Sequence, residues 1–183
     1  MNASLRAALA SSTLTLVCGA AVAEEFVCTG YVGAVALDNV FVPDGASCTL
    51  DRTRLNGSLV VGTGSSLTAT SITVNGNVQA EGANAVSIAG RSMIGGSVQI
   101  VQGSSASVRG ARINGDILFD ANNGAIEAAS NFIGGSLQAF QNTGGVRLVR
   151  NTMNGNLQCK ENTPAPTGFG NVSPSKEDQC ARL

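Results

Sequence analysis

Apolar residues in this chain alternate with polar ones in short runs, and the runs return about every twenty residues in a fixed relation to a small-residue–Gly doublet. The doublets are Asn56-Gly57, Asn75-Gly76, Gly95-Gly96, Asn114-Gly115, Gly134-Gly135 and Asn154-Gly155, spaced 19, 20, 19, 20 and 20 residues apart. Aligned on them, one apolar column holds Leu59, Val78, Val98, Ile117, Leu137 and Leu157. A second, two residues on, holds Val61, Ala80, Ile100, Phe119, Ala139 and Cys159. The positions between are mostly polar, as in a strand with one face inward. Another apolar pair precedes each doublet, from Cys48/Leu50 and Leu67/Ala69 to Ile126/Ala128 and Val146/Leu148, offset by one residue at Val86/Ile88. A last column, Leu55, Val74, Ile94, Ile113, Ile133 and Met153, stands immediately before the doublet.

Each repeat thus predicts three short strands joined by tight bends, a unit that buries its apolar face only by stacking on its neighbours. The expected fold is all-β: a right-handed parallel β-helix of seven to eight turns, roughly 20 residues per turn. The doublet is expected to supply the positive φ of a sharp corner. Asn131, Asn151 and Asn171, and likewise Asn122, Asn142 and Asn162, fall in columns that predict structural amide ladders at other bends.

Composition agrees with a core of many small aliphatics: 23 Gly, no Trp, no His and 4% aromatic residues. The formal charge of -1 argues against nucleic acid as a partner. Residues 1–23 read as a signal peptide ending in Ala21-Val22-Ala23, so that the mature chain begins at Glu24 in an exported setting: extracellular, cell-surface or periplasmic. Four cysteines follow, and export implies disulfides. Cys28 and Cys48 are 20 residues apart and Cys159 and Cys180 are 21 apart, about one turn each. Strands one turn apart lie within disulfide reach, which predicts Cys28–Cys48 and Cys159–Cys180 as staples at the two ends. The organisation is then a capping turn over 24–47, regular turns over 48–161 and a cap over 162–183, where charges and prolines block further edge pairing.

Two stretches carry a resemblance. Asn39-Val-Phe-Val-Pro-Asp-Gly-Ala-Ser-Cys48, and Asn154-Gly-Asn-Leu-Gln-Cys-Lys-Glu-Asn-Thr-Pro-Ala-Pro-Thr-Gly168 closing with Glu177-Asp-Gln-Cys180, resemble the two ends of a set of uncharacterised small exported bacterial parallel β-helix proteins. The resemblance implies an exported, disulfide-stapled β-helix and brings no catalytic residues with it. A weaker likeness is to bactofilins, which polymerise through their ends; the signal peptide and the charged caps depart from that pattern, so end-to-end polymerisation is not expected.

Without His, a Ser-His-Asp triad and a His-based metal site are excluded, and four disulfide-bonded cysteines supply no thiolate. Neither cofactor nor metal is expected. Carboxylate chemistry remains, with Asp116, Asp120 and Glu127 as candidates and Arg109, Arg112 and Arg147 near them in sequence, but no two carboxylates obviously share a cleft. The favoured surface is a polar strip after the doublet: Gln79, Gln99, Gln138 and Gln158 beside Asn77 and Asn156. The expectation is a non-catalytic structural or binding module contacting an extracellular polysaccharide or cell-surface component through that strip. The alternative is a small polysaccharide-active β-helix enzyme, lyase or hydrolase, using Asp116 and Asp120. Thr68, Thr70 and Thr73 occupy a single turn and make no extended Thr row of the kind that binds ice.

Overall fold

The computed structural model describes residues 25–183, so the expected signal peptide and its cleavage point lie outside the described residues. Its 24 strands form three parallel sheets of nine, eight and seven strands, and each turn of chain visits the three in the same order. One turn runs through Leu59–Val61 in the first sheet, Ser66–Thr70 in the second and Thr73–Val74 in the third. The next begins at Val78, which lies directly against Leu59. Among the described residues there is no helix, and about eight turns of some 19 residues stack into a β-solenoid.

The predicted columns are the core. Leu59, Val78, Val98, Ile117, Leu137 and Leu157 are all fully buried, and so is Phe119, the largest side chain inside. The one-residue offset at Val86 disappears in the register, where Val86 pairs with Leu67 on one side and Ala106 on the other. Turns of unequal length absorb the difference at their corners, so every aliphatic column stays continuous.

The doublet does not supply positive φ. The left-handed residues sit instead at the two other corners of the turn, and most are not glycine: Gln102 (52°), Ala121 (54°) and Gln141 (55°) between the first and second sheets, Arg91 (62°), Ser130 (56°) and Arg150 (52°) between the second and third. The doublet glycine is there because the turns touch. A Cβ on Gly76 or Gly115 would run into the Oγ of Ser58 or Ser97 and the backbone carbonyl of the glycine one turn below. Gly110, by contrast, has φ of 62° and open space where a Cβ would go.

Both predicted disulfides form, with Cα–Cα distances of 5.6 Å for Cys28–Cys48 and 5.2 Å for Cys159–Cys180. Neither joins residues in register. Tyr31 is the residue beside Thr49, and Cys28 reaches Cys48 from the preceding corner. At the other end Asp178 lies against Cys159, and Cys180 reaches its partner through a turn in which its N–H donates to the Glu177 carbonyl. The opening turn is short: Phe26 lies beside Val40, fourteen residues on, whereas Val40 lies beside Leu59, nineteen on.

Two outcomes follow for stability. In urea unfolding Gly115→Ala should cost about 2 kcal/mol, the toll of an overpacked contact, and Gly110→Ala only about 1 kcal/mol from its left-handed backbone; equal losses would contradict the stacking role of the doublet. Replacing either cysteine pair by serine should remove about 3 kcal/mol, with amide exchange protection lost first in that terminal turn and retained in the middle of the rod.

Candidate functional site

The outward side chains of the first sheet are where a polar strip was expected, and the structure divides them into two kinds. Asn77, Asp116 and Asn156 belong to a ladder at the doublet corner. Asn77 Oδ1 accepts the Ser97 N–H (2.8 Å), Ser97 Oγ the Asp116 N–H (3.0 Å), Asp116 Oδ1 the Ser136 N–H (2.7 Å) and Ser136 Oγ the Asn156 N–H (3.0 Å). Each of these short side chains fills the space that the doublet glycine of the next turn leaves open, which explains why the two features share one period.

The glutamines form the other kind. Gln79 and Gln99 are register neighbours and both are exposed. Half-buried Leu118 separates them from Gln138, which donates to Gln158 (2.7 Å), and Gln158 in turn donates to Glu177 (2.8 Å). Glu177 also takes a hydrogen bond from Asn156 (2.9 Å). The strip is therefore discontinuous: its N-terminal pair presents free amides, and its C-terminal pair is spent on tying the last strand down.

The two asparagine columns are buried ladders. Asn142 Oδ1 accepts from both the N–H and the Nδ2 of Asn122, while its own Nδ2 donates to the Phe119 carbonyl (3.1 Å) and to Asn162 Oδ1 (2.9 Å). Asn151 does the same between Asn131, the Ala128 carbonyl and Asn171. Each asparagine follows a corner residue with positive φ, and before Asn171 that residue is a glycine, Gly170 (70°). Gln179 ends the first column, its Oε1 accepting from the N–H and Nδ2 of Asn162. The ladders were legible in the sequence and Gln179 was not, although it is the one glutamine in the cap.

The carboxylates do not converge. Asp116 is committed to the doublet ladder, and Asp120 is four residues further along the same extended segment, about 13 Å at strand rise, wider than the span of a paired acid and base. Glu127 lies on the second sheet, held by Arg109 on one side and Arg147 on the other (2.7 Å to Arg147). These three border a shallow groove of about 510 Å³ over the second sheet, with Ser87, Ser107 and Pro164 also in its wall. Thr68 is likewise not isolated: Thr49, Thr68, Ser87 and Ser107 stand one above another across four turns of that sheet, a column hidden in the sequence by the alternation of Ser with Thr. Among the described residues no group of three or more His, Cys, Asp or Glu side chains gathers as metal ligands would. Among the described residues no helix is long and apolar enough to cross a membrane. No protein family, curated protein or solved structure matches the chain.

Asn142→Ala would leave the buried Asn122 N–H without its partner and remove the side-chain hydrogen bonds to the Phe119 carbonyl, Asn122 Nδ2 and Asn162 Oδ1. It should cost about 3 kcal/mol or more, measured as a drop in urea midpoint. Gln141→Ala, on the exposed neighbour, should stay within about 1 kcal/mol.

Proposed function

We propose that the protein is an exported, non-catalytic structural or binding module, a disulfide-capped rod at the cell surface or in the secreted milieu that lays extended glycan chains along its faces. The observation that carries this reading is the uniform register. Seven turns repeat the same three strands, and among the described residues no insertion is long enough to wall a cleft, so the molecule offers long flat faces with a constant rise. An extended polymer fits such a face better than a compact substrate does. The two disulfides favour an oxidising location outside the cytoplasm, in keeping with the resemblance to small exported bacterial β-helix proteins. Gln79 and Gln99 supply exposed donors and acceptors on the first sheet.

The alternative, carboxylate catalysis on a polysaccharide, makes opposite predictions. On an array of linear glycans the purified protein should retain at least one class while releasing no reducing or unsaturated ends. Asp116→Asn should leave that binding unchanged, because an asparagine Oδ1 still accepts the Ser136 N–H. Turnover that disappears in Asp116→Asn would overturn the reading in favour of an enzyme, and an array without any bound glycan would overturn glycan contact altogether.

A further inference from the structure

The formal charge of -1 conceals a division of charge across the width of the rod. The corner between the second and third sheets carries Arg52, Arg91 and Arg150, all with positive φ and all pointing to solvent. The third sheet adds Arg54 and Arg112 in its outward column, and the second adds Arg109 and Arg147. Only two carboxylates stand on this side among the described residues. Asp51 is paired with Arg52 (3.0 Å), and Glu127 with Arg109 and Arg147. The opposite face, the first sheet with its flanking corners, holds the other nine described carboxylates, Glu81, Asp116 and Asp120 among them, against Lys160 and Lys176.

Arg54, Arg91, Arg112 and Arg150 form no ion pair and no side-chain hydrogen bond among the described residues. Two of them are nevertheless held in place. The Arg112 guanidinium lies 4.8 Å from the centre of the Phe132 ring, its register neighbour, and that of Arg150 lies 5.4 Å from the Phe169 ring. A guanidinium stacked on an aromatic ring keeps its N–H edge free, and it loses little rotamer entropy when an anion arrives. The same edge exposes unusual apolar area for a soluble surface: Met93 at 51%, Phe132 at 39% and Phe169 at 52%. Charge and apolar area therefore interleave over a strip parallel to the axis that takes in the last position of the second sheet, the corner and the outward column of the third sheet. The corner arginines are two and three turns apart, about 10 and then 14 Å at the strand spacing.

We infer that this ridge between the second and third sheets binds an extended polyuronate, an anionic polysaccharide whose carboxylates meet the free guanidiniums and whose C–H sugar faces meet Phe132, Met93 and Phe169. The inference rests on the reading of the protein as a glycan-contacting module, and it names the face and the ligand class. Guanidinium forks match carboxylates in two parallel hydrogen bonds. A strip about four residues wide, bent over a corner, suits a single extended chain better than a bilayer plane. Duplex nucleic acid would meet the acidic first sheet's field and leave the apolar side chains unmatched.

The test is affinity electrophoresis of the purified protein in gels containing polygalacturonate, its fully methyl-esterified form or dextran, with double-stranded DNA and phosphatidylglycerol vesicles assayed in parallel. Polygalacturonate should retard the protein, less so as salt is raised, and the uncharged polymers should not. The combined variant Arg54→Gln, Arg91→Gln, Arg112→Gln, Arg150→Gln should bind at least tenfold more weakly. Gln already takes the same left-handed φ at Gln102 and Gln141, on the corner between the first and second sheets, so the fold should survive, which circular dichroism checks. Phe132→Ala should weaken binding several-fold without changing its salt dependence. Gln141→Ala, exposed on the corner between the first and second sheets, should leave it intact. Undiminished binding by the four-arginine variant, absence of retardation by polygalacturonate, or equal affinity for DNA or vesicles would overturn the inference. A neutral glycan bound through Gln79 and Gln99 would overturn it too, while leaving the glycan-contacting module standing.

Discussion

Every part of this molecule answers to one constraint: each turn must satisfy the backbone of the turns above and below it at the spacing of paired strands. Hydrogen bonds inside the sheets meet that demand along the strands. At corners the chain leaves the ladder, and side chains take over. Asparagine amides do so where the corner residue is left-handed, and Asn, Ser or Asp oxygens do so at the doublet. No buried side-chain nitrogen or oxygen among the described residues is left without a partner. The polar groups inside the rod are thus components of the same vertical bonding that holds the sheets.

This constraint also explains the composition. Two turns in contact at the doublet leave no room for a Cβ, so glycine is required there by proximity rather than by backbone angle. Between the sheets the space is narrow, and Val, Ile, Leu and Ala fill it with one aromatic, Phe119. Because a turn gains only from its neighbours, the outermost turns are the weakest. That is where the disulfides lie and where Gln158 and Asn156 secure the closing strand through Glu177.

The aliphatic columns were legible in the sequence because inward positions repeat in kind as well as in spacing, and the asparagine ladders were legible for the same reason. Other features were not. A repeated glycine has two physical uses, and the letters alone do not distinguish the close approach at Gly115 from the left-handed backbone at Gly110. Left-handed corners occupied by Arg, Gln, Ala or Ser carry no residue signature, since the side chain is not part of the core and residues of different chemistry serve. Cys180 looked like a register repeat of Cys159 because the cap departs from the repeat by a turn that only coordinates reveal. Of the strip, Asn77 and Asn156 became corner ligands, since outward alternation does not say which polar atoms the backbone claims. The arginine edge escaped notice because its members occupy three different positions of the turn, and a net charge near zero averages them away.

The placement of positive side chains along one edge and negative ones on the face across from it gives the rod an electric moment perpendicular to its length. A body polarised in that direction lowers its energy near a charged surface by rolling about its own axis, with no tendency to stand on end. Such a rod would come to rest lengthwise, with one particular side down, before any specific contact is made.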